Sequence, residues 1–365
     1  MMEGKADRKT FFTQALLQWH TTHHRPLPWK GEKDPYLIWL SEIILQQTRV
    51  EQGLPYFEKF KAKYPTVKYL AAAPEDEVMK MWEGLGYYSR ARNMHAAAKY
   101  IAHELAGVFP KKYEGIRALK GVGDYTAAAI AAFAFDLPHA VVDGNVYRVL
   151  SRYFGVEEPV DTTAGKKQFA HLAQELLDVR QPGRFNQAIM DFGAGQCTPA
   201  APKCASCPLQ PNCSAFHQNK VDSLPVKSKK LERRQRFFNY LVINQQGNVF
   251  IKKRTEKDIW RNLYDFPLIE TDRLVEGKNG LEGNAIWQAW LGSSNYQLLQ
   301  VSPPFRQELT HQQIVARFWE IEVDGSFKAG EASWVKCGRQ NLQDFAFPKV
   351  IVLYLKEKSL PLELF

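Results

Sequence analysis

Between Leu119 and Arg148 the chain carries a pattern that few folds accept. A Gly121-Val122-Gly123 hairpin leads into an apolar helical run from Tyr125 to Phe135, a break falls at Pro138, and Asp143-Gly144-Asn145 opens a second helix. Glycine permits a backbone turn that a Cβ resists. Asp124 has the chemistry of an N-cap, able to accept from the N–H groups of the next turn. Exposed N–H groups at the positive end of a helix make a place for a phosphate. A tight helical corner with no ligand is the alternative, and the rest of the chain has to decide between them.

The chain has 365 residues, enough for two domains with their own cores, and a formal net charge of +9 with a pI near 9.1. Such a balance favours a polyanionic partner, nucleic acid or an anionic membrane surface. The opening MMEGKADRKT has no apolar signal core, and the apolar run Ala127 to Phe135 is cut at once by Asp136. A cytoplasmic protein without membrane spans is therefore expected. Four of the five cysteines crowd between Cys197 and Cys213. In a chain without a secretory signal, that clustering points to a metal centre and not to disulfides.

Residues 8 to 219 read as almost wholly helical. Phe11, Phe12, Ala15, Leu16 and Trp19 share one face of a helix from Arg8 to His20. After the Pro-rich break Arg25 to Trp29, Asp34-Pro35 opens a helix through Gln47, proline being well suited to a first turn. Further helices are expected over Gly53 to Lys63, Glu75 to Trp82, Ser89 to Leu105, Tyr113 to Leu119, Lys166 to Leu177 and Phe185 to Gly193. From Lys220 to Arg236 the chain holds seven Lys/Arg against two acids, which reads as a solvated basic linker able to lie along a nucleic-acid backbone. Beyond it the pattern turns to strands: Phe237 to Ile243 and Val249 to Lys253 around a turn at Asn244 to Asn248, and later Val315 to Val323. Helices over Asn284 to Leu291 and Lys349 to Lys356 complete an α+β second domain.

Cys197, Cys204, Cys207 and Cys213 are spaced C-x6-C-x2-C-x5-C. Structural zinc more often uses two separated C-x-x-C knuckles. A single C-x-x-C with longer flanks suits a four-cysteine iron–sulfur cluster at least as well. Cys337 stands apart and reads as a small buried hydrophobe.

Hairpin, Val141-Val142-Asp143-Gly144-Asn145 and cysteine spacing, in this order, resemble the helix–hairpin–helix, iron–sulfur DNA glycosylases related to endonuclease III. Within that superfamily, Ser41-Glu42-Ile43-Ile44-Leu45-Gln46-Gln47-Thr48-Arg49-Val50 and Trp82-Glu83-Gly84-Leu85-Gly86-Tyr87-Tyr88 are similar to the adenine-specific, MutY-type branch. The resemblance implies a mainly α protein. Residues 1–219 would form the all-helical glycosylase domain, with its hairpin at 119–125 and cluster loop at 197–213. Residues 220–236 would be the linker, and 237–365 a smaller α+β, Nudix-like recognition domain.

The resemblance implies chemistry as well. Breaking an N-glycosidic bond needs a better leaving group and a stabilised oxocarbenium ion, work that two carboxylates can share. Glu42, set among Trp39, Leu40, Ile43 and Ile44, would have its pKa raised by an apolar site and keep a proton for the adenine ring. Asp143 would stabilise the cationic sugar and its covalent counterpart, with Asn145 positioning the sugar or the attacking water. Tyr125 stands where bifunctional relatives carry a Schiff-base lysine, so a monofunctional enzyme leaving an abasic site is expected.

The adenine must be flipped out of the duplex to reach Glu42. Gln47, Thr48, Leu85 and Tyr87 match positions that probe the opposite 8-oxoguanine and hold its stack open, and Gly121, Val122 and Gly123 would hold a phosphate. Trp260, Leu263 to Pro267 and Ala346 to Pro348 are similar to the second domain of the MutY-type enzymes. That domain lacks the carboxylate box of Nudix pyrophosphatases, so it is expected to recognise and not to catalyse. The family's Phe-Ser-His loop reads Leu309-Thr310-His311 here, keeping the hydroxyl and imidazole without the aromatic ring. The expected partner is double-stranded DNA with A:8-oxoguanine or A:G mispairs, the expected cofactor a 4Fe–4S cluster on Cys197, Cys204, Cys207 and Cys213, and the expected state a monomer. The rival enzyme reading is an endonuclease III-like glycosylase/lyase for oxidised pyrimidines. Rivals of other classes are a non-catalytic DNA-binding module and a fused Nudix pyrophosphatase.

Overall fold

A computed structural model describes residues 3–228, 233–277 and 279–359. The chain packs as two units: Met1–Ala72 with Ala96–Lys230, and Ala73–His95 with Leu231–Phe365.

The first unit is helical. Its inner helix, Pro35–Leu45, is capped by Asp34, whose Oδ1 accepts from Tyr36 N at 2.9 Å, and nine of its eleven residues are buried. A helix apolar all round belongs inside a core. The Ala-rich helix Asp124–Phe135 lies against it, buried from Thr126 to Ala132. Its small side chains let the two axes come close. Helices Glu3–His23, Gly144–Phe154, Thr163–Leu176 and Pro182–Gly195 enclose a second core of Phe12, Leu16, Leu150, Tyr153, Phe169, Phe185 and Phe192. Helix Pro35–Leu45 stops two residues short of the expected Gln47, because Gln47 has a left-handed backbone, φ +55°. A short helix at Val67–Ala72 was not expected from the sequence.

The second unit holds an eight-stranded sheet among the described residues: β1 Arg234–Gln245, β2 Asn248–Lys253, β3 Tyr264–Asp265, β4 Leu268–Thr271, β5 Tyr296–Val301, β6 Phe305–Glu308, β7 Gln312–Val323 and β8 Trp334–Gly338. β1 runs parallel to β7 from Arg234↔Gln312 to Asn244↔Glu322. β2 and β4 pair antiparallel with β1, β5 and β6 with β7, and β3 and β8 with β2. Gln246 and Gly247, both at positive φ, turn β1 into β2, as a type I′ hairpin requires. Leu241, Ile243, Trp319 and Ile321 of the sheet cluster with Trp287 of helix Ala285–Leu291. In another aromatic cluster of this unit, Tyr354 of helix Lys349–Ser359 stacks on Phe318 with centroids 3.9 Å apart.

Two expectations change. Ala73–His95, read as part of the helical domain, packs with the sheet, because helix Glu75–Met81 pairs through Glu75 and Asp76 with Asn262, Lys253 and Tyr264. The basic stretch 220–236 is no free linker over most of its length. Leu224 is buried, Val226 O accepts from Val160 N at 3.1 Å, and Ser228 N donates to Asp161 Oδ1 at 2.9 Å. At its other end Arg236 lies in β1, its guanidinium 2.7 Å from Glu270 and 2.9 Å from Asp258. Residues 229–232 of that reading lie outside the described residues. Acids that the sequence places far away pair with Lys220, Arg233 and Arg236 of this run.

Candidate active site

Glu42 is 8% exposed on the inner face of helix Pro35–Leu45. Its Oε2 accepts from the Tyr125 hydroxyl at 2.7 Å, on the neighbouring helix Asp124–Phe135. Gln46 Nε2 donates to Thr126 Oγ1 at 3.1 Å between the same two helices. Burial pushes the Glu42 carboxyl up to about 7; the Tyr125 hydrogen bond opposes that shift and the nearby Asp143 charge adds to it. The side chain therefore keeps a proton near neutral pH, and Tyr125, occupying Oε2, leaves Oε1 to carry it. Burying Leu37, Ile38, Leu40, Ile43 and Ile44 on the same helix, at roughly 1.5–3 kcal/mol each, outweighs the cost of one raised carboxyl.

Asp143 is the N-cap of helix Gly144–Phe154. Its Oδ1 accepts from Asn145 N at 2.9 Å and Val146 N at 2.8 Å, and its Oδ2 from Asn145 Nδ2 at 2.8 Å. Burial raises its pKa, while these bonds and the Arg148 charge pull the other way. A hydrogen-bonded chain continues inward. Arg148 Nη2 donates to Asn145 Oδ1 at 2.8 Å and to Gly193 O at 2.7 Å, and Arg148 Nε donates to Cys197 O at 2.7 Å. Gly193 allows the crossing, since a Cβ there would lie 2.7 Å from Asn145 Cβ. The motifs give Arg148 no role, although its i,i+3 spacing from Asn145 is a visible signal. Arg148→Gln is expected to lower urea stability of the protein by roughly 2–3 kcal/mol, because a charged, buried hydrogen-bond fork is lost and its acceptors stay behind.

Glu42, Tyr125 and Asp143 line one cleft of about 2010 Å³, together with Gly121, Gly123, Gln47, Thr48 and Asn145. Arg25, Lys30, Lys33, Lys166, Arg180 and Arg184 also line it, interspersed with Glu32, Asp124, Asp136 and Asp191, and Lys30 and Lys33 pair with Asp191 and Asp136. Asp191, 4% exposed, holds Lys30 Nζ at 2.7 Å and His20 Nε2 at 3.1 Å. The hairpin sits at this rim, with Gly121 at φ +82° and Val122 N bonded to Leu119 O at 3.0 Å. Gly123, and not Asp124, occupies the N-cap; Asp124 is the first helical residue and its carboxylate turns back to Arg117 Nε at 2.5 Å. The arginine outcompetes a capping bond because it also ties to Val122 O at 3.1 Å.

In the sheet unit, the turn after Trp82 places Gly84, Gly86 and Tyr87 at positive φ. Tyr87 is 46% exposed, whereas Leu85, expected as an outward wedge, is 5% exposed and packs beneath the turn. The Tyr87 hydroxyl lies 2.7 Å from Thr310 Oγ1. Thr310 and exposed His311 form the loop between β6 and β7, closed by Leu309 N to Gln312 O at 2.8 Å.

The four clustered cysteines are half-buried free thiols, and Cys197, Cys207 and Cys213 pack on the helical core. Burial pushes the Cys207 thiol up to about 11, and the charges of Cys197, Cys213 and Cys204 add to it. Leu209 N–H points to Cys207, Phe216 and Ala215 N–H to Cys213, and Arg152 Nη1 stands 3.5 Å from Cys197 Sγ. Among the described residues no three His, Cys, Asp or Glu side chains close on one point as ligands of a single ion. Four thiols with N–H and guanidinium donors aimed at their sulfurs nevertheless fit a thiolate-bound centre, since such donors stabilise the deprotonated form.

A profile of the HhH-GPD superfamily base excision DNA repair proteins matches residues 40–177, and one of the NUDIX domain matches residues 239–357. Adenine DNA glycosylase of Buchnera aphidicola subsp. Acyrthosiphon pisum (strain APS) is 36% identical over 260 residues, covering 71% of this chain and 74% of that one. The chain belongs to the adenine DNA glycosylase family. Among eukaryotic members, adenine DNA glycosylase of Homo sapiens is 41% identical over 224 residues, covering 59% of this chain and 41% of that one. In fold, a thermostable thymine-DNA glycosylase aligns with TM-score 0.55 and 31% identity, over 59% of this chain and 99% of that one. An endonuclease III–DNA complex aligns at TM-score 0.51 and 20% identity over 57% of this chain and 95% of that one, a likeness of fold alone. In this member of the adenine DNA glycosylase family, among the described residues no helix is long and apolar enough to cross a membrane.

Proposed function

We propose that the protein is an adenine DNA glycosylase of base excision repair, hydrolysing the N-glycosidic bond of adenine paired with 8-oxoguanine or guanine. The observation that carries this reading is a buried Glu42, its pKa pushed up to about 7 by that burial, held by Tyr125 at 2.7 Å and sharing a cleft with Asp143. An adenine flipped into that cleft meets Glu42 as a general acid. Glu42 gives its proton to the ring as the C1′–N9 bond breaks, and the bonding pair leaves with the base. Asp143 faces the cationic sugar and lowers the energy of the oxocarbenium ion. Water then adds at C1′, beside Asn145, and its released proton restores the acid.

Tyr125 has no amine, so no Schiff base forms and the abasic strand stays intact. Borohydride quenching of a working reaction is accordingly expected to trap no protein–DNA adduct; a covalent band on a denaturing gel would move the protein to the lyase class. Gly121, Val122 and Gly123 would hold one phosphate at the rim, with Gln47 and Thr48 following the duplex, while Tyr87, Thr310 and His311 would read the base opposite the adenine. Leu85, buried here, would reach a base stack only after the turn rearranges. Cys197, Cys204, Cys207 and Cys213 would hold a 4Fe–4S cluster, which when bound supplies a covalent cross-link of the 197–213 loop and a redox-capable centre.

The test is a single-turnover assay on four duplexes: adenine opposite 8-oxoguanine, adenine opposite guanine, thymine opposite guanine, and thymine glycol. Adenine release from the first two, fastest opposite 8-oxoguanine, is expected. Release of thymine, or of thymine glycol with strand cleavage, in place of adenine overturns the reading.

A further inference from the structure

The turn that follows Trp82 lies within the sequence range of the helical glycosylase family, yet it packs with the sheet. Both ends of this turn are tied to one residue, Phe347. On the entering side Glu83 Oε1 accepts from Phe347 N at 2.9 Å; on the leaving side the Tyr88 hydroxyl donates to Phe347 O at 3.2 Å. Lys80 completes the fixture, its Nζ donating to Glu83 Oε2 at 2.8 Å and to Phe345 O at 2.9 Å. The Phe347 ring is 1% exposed and stacks on Phe266, so the anchoring residue is held by the sheet unit's own core. Between the two ties Gly84, Gly86 and Tyr87 have φ of +95°, +74° and +48°, a region that glycine enters freely and tyrosine only at a cost. A bulky residue in the left-handed region persists only where its surroundings over-determine it.

We propose that Glu83 is a positioning residue, which fixes the Gly84–Tyr87 turn against the Thr310 loop through its bond to Phe347 N. The proposal rests on the reading that Tyr87 and Thr310 face the base opposite the adenine. The Tyr87 hydroxyl and Thr310 Oγ1 stand 2.7 Å apart, so a shift of either the turn or the loop breaks the pair. Glu83 itself touches no substrate. It sets where Tyr87 stands, and so acts on preference for the opposite base rather than on bond cleavage.

The experiment uses the full chain as purified, with Glu83→Ala, Glu83→Gln and Tyr88→Phe compared with wild type. Removing the acceptor leaves a Phe347 N–H without its carboxylate, a loss that corresponds to about tenfold in an equilibrium constant. For Glu83→Ala we expect the preference for adenine opposite 8-oxoguanine over adenine opposite guanine to fall about tenfold through weaker duplex binding, with the saturated rate opposite guanine kept within about twofold. Amide hydrogen exchange over residues 84–88 and at Phe347 should speed up in parallel. Glu83→Gln, whose amide oxygen can still accept, should keep most of the preference, and Tyr88→Phe should resemble Glu83→Ala in both readouts. Unchanged exchange in Glu83→Ala and Tyr88→Phe overturns the clamp; faster exchange with an unchanged preference overturns its part in specificity. If wild type releases no adenine, the functional reading fails, and the exchange measurement still decides whether the clamp exists.

Discussion

Glu42→Gln is expected to slow adenine release by about 10³-fold, the scale of a lost general acid, while duplex binding is retained. The amide is nearly isosteric and its oxygen can accept from the Tyr125 hydroxyl, so the geometry at 2.7 Å survives and only the proton is lost. The wild-type rate should depend on pH in the corresponding sense. The protonated form is the working one, so the single-turnover rate should hold up to about pH 7 and fall tenfold per unit beyond it. Stability also falls as pH rises, but over a lower window than activity. The folded pKa of about 7 lies above the ordinary 4.5, so the folded state binds the proton more tightly. The charged form therefore costs nothing below pH 4.5, a growing amount between 4.5 and 7, and its full value above. Relative to wild type, Glu42→Gln should gain up to about 3 kcal/mol between pH 4.5 and pH 8 in urea unfolding. A variant with wild-type excision, or a pH-independent stability difference, would remove Glu42 from the role of acid.

Asp143→Asn should cost about 10²–10³-fold in the same assay, the range for removing one group aimed at developing charge. Asparagine caps helices as well as aspartate, so the bonds from Asn145 N and Val146 N should persist. The other oxygen is the problem. Asp143 Oδ2 accepts from Asn145 Nδ2, and an amide nitrogen in its place sets two donors against each other. Asn145 cannot simply turn over, because its Oδ1 is engaged by Arg148. A stability loss of about 1 kcal/mol is expected from that mismatch, much too small to account for the rate. A rate loss that is matched by an equal loss of folded protein would make Asp143 a cap and nothing more.

Much of this architecture is legible in residue order. Periodicity locates the helices from Glu3–His23 to Pro182–Gly195 to within a few residues, and the Gln246-Gly247 turn announces the first hairpin. Short elements escape: Val67–Ala72 has only six residues, and β3 only two, too few to establish a period. The Asp124 cap was misread because local sequence cannot show that Arg117 competes for the carboxylate. Likewise the grouping of Ala73–His95 with the sheet depends on Asp76 meeting Lys253, 177 residues away. In the cleft, the residue types at positions 42, 125 and 143 are visible in order, but their approach is not. It depends on the Ala-rich helix Asp124–Phe135 sitting close to Pro35–Leu45.

The assignment of Ala73–His95 to the sheet unit also bears on the order in which the protein is assembled. Synthesis runs from the N-terminus, so this segment leaves the ribosome long before Phe345 and Phe347, which will hold it. Residues on either side of it, up to Ala72 and from Ala96, belong to the helical unit and can meet across a closed loop. Closing a loop of that length costs on the order of 3 kcal/mol, little against a packed core. The helical unit can therefore mature early with one span waiting outside it, and the Gly84–Tyr87 turn takes its place only once the C-terminal strands and helix have been made.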